Sequence, residues 1–151
     1  MLAFDARDLT VKGRWSVAPG KQPAGMAMDR KNRRLFVTCR NEKMIVLDAD
    51  SGKVIATPVI GKGIDACVFD SETNLAFSSN GDGTLTVVQE ESPEQYKVAA
   101  NVKTEIGART MALDAKTHNI FLVTAKFKPA AAGARRCAME PDSFVVLEVG
   151  R

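Results

Sequence analysis

Short apolar blocks alternate with polar turns along the whole chain; Met44–Leu47 and Ile120–Val123, at four residues each, are among the longest unbroken runs. Three segments share one layout. They read GMAMDRKNRRLFVTC (25–39), DACVFDSETNLAFSS (65–79) and RTMALDAKTHNIFLVTA (109–125). In each, a short apolar stretch ends in Asp, a polar turn follows, and a second apolar run begins. Val, Ile, Leu and Phe in runs this short, bounded by turn residues, predict strands. Each segment is therefore a hairpin. The anchor aspartates Asp29, Asp70 and Asp114 are placed to accept hydrogen bonds from backbone N–H groups two residues on.

A third strand follows in every unit: MIVLDAD (44–50), TLTVVQEE (84–91) and SFVVLEV (143–149). A fourth follows in two of them, KVIATPVIG (53–61) and YKVAANVKT (96–104). Asp50-Ser51-Gly52-Lys53 and Asn80-Gly81-Asp82-Gly83 mark tight turns between strands. At the start, MLAFDAR resembles a third strand and LTVKGRWSV a fourth. The pattern predicts thirteen strands in a single domain over 1–151: two outer strands (1–17), four (18–61), four (62–104) and three inner strands (105–151).

The anchor aspartates are 41 and 44 residues apart, the period of one four-stranded propeller blade. The expected fold is all-β, a β-propeller of about three four-stranded blades. Closed propellers have roughly four to eight blades. Three would leave strand edges and apolar faces open. Either copies of the chain complete the ring, as in a homodimer, or the chain is part of a larger propeller.

Composition changes this picture little. Hydrophobic residues make up 45% and charged residues 26% of the chain, ordinary globular usage. No run approaches the ~20 apolar residues of a membrane span, and MLAFDARDLT is not a signal peptide. The net charge of +3 comes from interspersed signs rather than a basic stripe, so nucleic acid is a weak candidate partner. The three cysteines form no CxxC pattern, and the single histidine, His118, is far in sequence from each of them. Cys39 and Cys67 read as small core residues and Cys137 as an exposed thiol in a polar loop. No cofactor or metal is called for.

The stretch GMAMD…RLFVTCRNEKMIVLDADSGKVIATPVIGKGIDACVFD resembles the YncE-like family of bacterial β-propellers, built of YVTN repeats. VLDADSGKVIATPVIG is its most specific part, and the likeness continues from LAFSSNGDGTLTVVQEE to LVTAKF. The resemblance implies a seven-bladed, periplasmic or secreted parent of about twice this length, matching here over its C-terminal half. It also implies ligand, surface or nucleic-acid binding, mostly without chemistry, while more distant propellers hold haem or quinone.

By that analogy, binding groups sit at the mouth of the central channel, on loops leading into the first strand and joining the second to the third. The candidates are Gln22, Arg40, Asn41, Asp65, Asn80, Asp82, Arg109 and Thr110. The expected ligand is a small molecule or a protein, and the expected role is binding rather than catalysis. Asn80–Gly83 has too few carboxylates for a calcium loop and no helix for a phosphate cradle. His118 reads as a solvent-exposed turn residue, and Trp15 as an outer-strand side chain packing between blades. Glu90 and Glu91 fall on opposite faces of one strand. The loop 126–142 is long, carries Lys126, Lys128, Arg135 and Arg136 against Glu140 and Asp142, and reads as a disordered insertion or an anion-contacting loop.

Overall fold

A computed structural model describes residues 1–128 and 138–150. Cys137, Arg135 and Arg136, and with them the middle of the 126–142 loop, lie outside the described residues. The described chain holds thirteen strands in four antiparallel sheets. The leading sheet pairs β1 (Leu2–Phe4) with β2 (Val11–Arg14). The second sheet is β3 (Pro23–Asp29), β4 (Arg34–Cys39), β5 (Lys43–Asp48) and β6 (Val54–Ala56), hydrogen-bonded in chain order. The third is β7 (Ile64–Asp70), β8 (Leu75–Asn80), β9 (Thr84–Ser92) and β10 (Gln95–Lys103). The fourth is β11 (Arg109–Asp114), β12 (Asn119–Thr124) and β13 (Val145–Val149).

The sheets stack face to face in chain order, with one apolar layer at each junction. Val37, Cys39, Ile45 and Leu47 of the second sheet cover Met1 and Val17. Its other face puts Phe36, Met44 and Val46 against Ile64, Cys67, Ala76 and Val88 of the third. The far side of the third sheet puts Phe77, Leu85 and Val87 against Ala108, Ile120 and Leu122. Strand alternation is the cause: successive side chains face opposite neighbours, so both faces of the middle sheets are apolar. Each fully buried large side chain contributes about 1.5–3 kcal/mol. Phe36 also stacks on Phe69 at 4.9 Å and meets Tyr96 edge-on at 5.9 Å.

The first strands β3, β7 and β11 lie side by side along one rim of the stack. Their approach is close. A Cβ on Gly25 would stand 2.7 Å from the backbone nitrogen of Cys67, so only glycine fits there.

Several details depart from the sequence pattern. β6 is three residues rather than nine, because Pro58 has no N–H to donate; beyond it only an isolated Lys43–Val59 bridge continues the ladder. β1 and β2 are likewise shorter than the stretches 1–7 and 9–17. Trp15 sits just past β2 rather than on it, and its ring lies over Gly52 of the β5–β6 turn, where a Cβ would be 2.0 Å from the ring. The described ends of the 126–142 loop are paired: Phe127 bridges Met139, and Lys128 N–H donates to Ala138 O at 2.8 Å.

Candidate functional site

The blades have two ends of different construction. At the turn end, Asp29, Asp70 and Asp114 each accept the N–H two residues on, from Lys31 (2.8 Å), Glu72 (3.1 Å) and Lys116 (2.9 Å). Arg33, Asn74 and His118, each four residues after its anchor, all take positive φ (57°, 55° and 62°). That backbone aims His118 across the junction. Its Nδ1 donates to Asp70 Oδ2 at 2.8 Å, and it is half-buried rather than a free turn residue. Burial alone would raise the Asp70 carboxyl. Hydrogen bonds from the Thr73 hydroxyl, the Glu72 N–H and His118 outweigh it and hold the group below its ordinary value.

The junction between second and third sheets is tied at the same end. Arg34 donates to Asp48 (2.7 Å), Glu94 (2.9 Å) and the Pro93 carbonyl (2.9 Å). Asn32 Nδ2 donates to Glu90 Oε1 at 3.0 Å. Glu90 is buried and its Oε2 has no partner among the described residues. Burial, with Asp29 nearby, pushes its carboxyl above the ordinary value. Glu91, on the opposite face, is exposed and pairs with Lys97.

The mouth end gathers the sequence-derived candidates. Gln22 takes φ 51°, as Gly63 (68°) and Gly107 (81°) do at the equivalent positions. Its carbonyl accepts from Arg40 N–H at 3.2 Å, and Gly63 O from Gly81 N–H at 3.0 Å. Asn41 Oδ1 and Asp82 Oδ2 each accept the N–H of a lysine, Lys21 and Lys62, at 2.7 Å. Asp65 Oδ2 reaches the neighbouring sheet and accepts both the N–H (3.0 Å) and the hydroxyl (3.1 Å) of Thr110.

Thr110 carries φ 51°, a left-handed backbone that costs a β-branched residue about 1–3 kcal/mol. The cause of its detour is legible in the repeat. Gly25 N–H donates to Thr38 Oγ1 and Ala66 N–H to Ser79 Oγ, both at 3.1 Å. The equivalent acceptor on β12 is Val123, which has no hydroxyl. Thr110 turns to Asp65 instead. A register shift lies between Arg109 and Met111, as at the equivalent places on β3 and β7, and Arg109 stands exposed beside Gly81.

Asn80 departs from the group. It is fully buried, accepts from Ser78 Oγ (3.0 Å) and donates to Thr84 Oγ1 (3.0 Å) and Thr86 Oγ1 (2.9 Å). It holds the β8–β9 turn and turns no polar atom to the mouth. Beside Asp65, Arg109 and Thr110 lies an open hollow of about 350 Å³, with Val123, Phe127 and Phe144 on its apolar side. Lys21, Arg40, Lys62 and Arg109 are all exposed, and among the described residues none has a carboxylate within ion-pair distance. Three missed features, Arg34, Glu90 and the His118–Asp70 pair, join positions 48–60 residues apart that no local pattern connects.

Among the described residues, no three His, Cys, Asp or Glu side chains converge as a metal site. Cys39 and Cys67 are buried free thiols, and burial pushes Cys67 up to about 12, leaving it unreactive. No described helix is long and apolar enough to cross a membrane.

These sheets, stacked in order with their first strands along one rim, form an arc of propeller blades. Similarity to solved structures agrees. The chain is similar to Saccharomyces cerevisiae Sqt1, a WD40 propeller protein, at 12% identity and TM-score 0.64, covering 74% of this chain and 31% of that one. It is also similar to Kuenenia stuttgartiensis hydrazine synthase, which has propeller domains, at 15% identity and TM-score 0.70, covering 95% of this chain and 39% of that one. The chain thus spans less than half of either protein. The sequence matches no family profile and no curated protein.

Proposed function

We propose that the chain is a non-catalytic binding module, part of a propeller of YncE-like type, that takes a small ligand or a protein at its mouth end. One observation carries this reading. The loops of three consecutive blades meet there, leaving Lys21, Arg40, Lys62 and Arg109 exposed without carboxylate partners around the Asp65–Thr110 contact. Converging polar groups beside an apolar hollow make a binding site. The YVTN-like repeats support the family assignment and, with it, a periplasmic or secreted parent protein.

The test is amide shift mapping by NMR against a panel of anionic metabolites and acidic peptides. Perturbation of 21–22, 40–41, 62–65 and 109–110, lost in Arg109→Ala, is the expected result. Shifts confined to the outer strands β6 and β10 would overturn the assignment of the mouth.

The same four cations support a second reading, nucleic-acid binding. Affinity for a single-stranded oligonucleotide would then fall steeply with salt, with a log–log slope of about −0.7 per phosphate neutralised. A flat salt response rejects it.

A further inference from the structure

The repeat assigns every sheet a face toward its predecessor and a face toward its successor, and two such faces have no cover among the described residues. Phe36, Phe77 and Phe121 each lie seven residues after an anchor aspartate. The first two are buried in the junction with the following sheet. Phe121 occupies the same place on the fourth sheet, which no described sheet follows. On the third strands, Met44 and Leu85 are 0% exposed in those junctions, while their counterpart Val146 is 58% exposed. At the other end of the arc, Leu2 and Phe4 correspond to Ile45 and Leu47 through the match of MLAFDAR with MIVLDAD. Ile45 and Leu47 are 0% exposed beneath the preceding sheet; Leu2 and Phe4 are 45% and 53% exposed.

The charges select what covers these faces. Where the buried junctions have Val46 and Val87, the fourth sheet has Glu148. A carboxylate there is costly to cover with a purely apolar partner. The leading sheet carries the matching cation. Arg14 is the cross-strand partner of Leu2, so it lies on the same uncovered face. Arg14 is exposed, with no carboxylate in ion-pair distance among the described residues.

We propose that a second copy of this chain docks its leading face (Leu2, Phe4, Arg14) onto the trailing face of the fourth sheet (Phe121, Val146, Glu148). The contact continues the blade-on-blade packing already present three times in the chain. It is heterologous, so a docked pair keeps one free face of each kind and assembly runs head to tail.

Sedimentation velocity over a range of concentrations tests this, with Phe4→Asp and Val146→Asp as face-specific variants. Both positions are more than half exposed, and circular dichroism checks that each variant folds. The wild-type chain self-associates, and each variant alone sediments as a monomer, with association weakened about tenfold or more. Mixed together, the two variants form a one-to-one dimer, because each supplies the face the other lacks. Arg14→Glu weakens association, and adding Glu148→Arg restores it. A monomeric wild type overturns the proposal and leaves the two faces to neighbouring blades of a larger propeller. So does association that survives both aspartate variants, or a mixture that stays monomeric.

Discussion

The two ends of the same blades are built from similar residues and arranged for opposite purposes. At the turn end, carboxylates are consumed by structure. Asp29, Asp70 and Asp114 cap their own turns, while Arg34, Asn32 and His118 reach across to the neighbouring sheet. At the mouth end, Asn41 and Asp82 cap backbone, but the exposed cations Lys21, Arg40, Lys62 and Arg109 stand alone among the described residues. One end fastens blades together. The other leaves charge available, on loops carried by a rigid scaffold, where function is commonly placed.

Substitutions along this axis should therefore differ in kind. The largest effect lies between the ends, in the packed layer. Phe36→Ala removes a ring buried at 0% exposure and stacked on Phe69, and should cost about 3–5 kcal/mol in urea unfolding. Arg34→Ala cuts three ties to two sheets and leaves Asp48 without its cation. About 2 kcal/mol should be lost, mostly from the junction between second and third sheets. Asp70→Asn weakens the Thr73 and His118 contacts and should cost about 1 kcal/mol. Hydrogen exchange at 117–119 should rise with it.

The titration of the turn end sharpens the contrast further, because two of its buried carboxyls act with opposite sign. Asp70 is held below its ordinary value, so its contribution is present above the unfolded pKa of about 3.8 and is lost as pH falls through the lower folded value. Glu90 is pushed up, so its contribution is full below about 4.5 and is lost as pH rises through the higher folded value. Glu90→Gln should therefore gain stability on the wild type as pH rises from about 4 to 7, whereas the deficit of Asp70→Asn against the wild type should be full above about pH 5 and shrink as pH falls toward about 2. Unfolding midpoints across both ranges are the check.

The smallest effect belongs to the mouth. Arg109→Ala should leave stability within about 0.5 kcal/mol, since the side chain is exposed and forms no ion pair among the described residues. A larger loss would mean that the mouth, too, is a fastening.

Much of this was legible in the residues. The hairpins announce themselves through aspartates placed before polar turns, because an Asx turn needs only local chain. Cys39 and Cys67 lie in the core, as expected of small apolar residues with no metal-ligand spacing. The shortening of β6 is also written in the chain, at Pro58. The site was only partly legible. Asn80 and Asp82 look alike as turn residues, yet Asn80 is sealed among Ser78, Thr84 and Thr86 while Asp82 is exposed. That difference depends on how β8, β9 and the following chain close over the turn.

The sequence by itself determined the strands, their turns and the blade period, because side-chain alternation and turn hydrogen bonding act over a few residues. Only the tertiary structure decided that His118 meets Asp70, that Glu90 is buried with one oxygen unpartnered, and that Thr110 adopts a left-handed backbone to reach Asp65. Each of these joins residues brought together by sheet stacking. Stacking geometry sums many weak apolar contacts over distant segments, and no single stretch of chain encodes it.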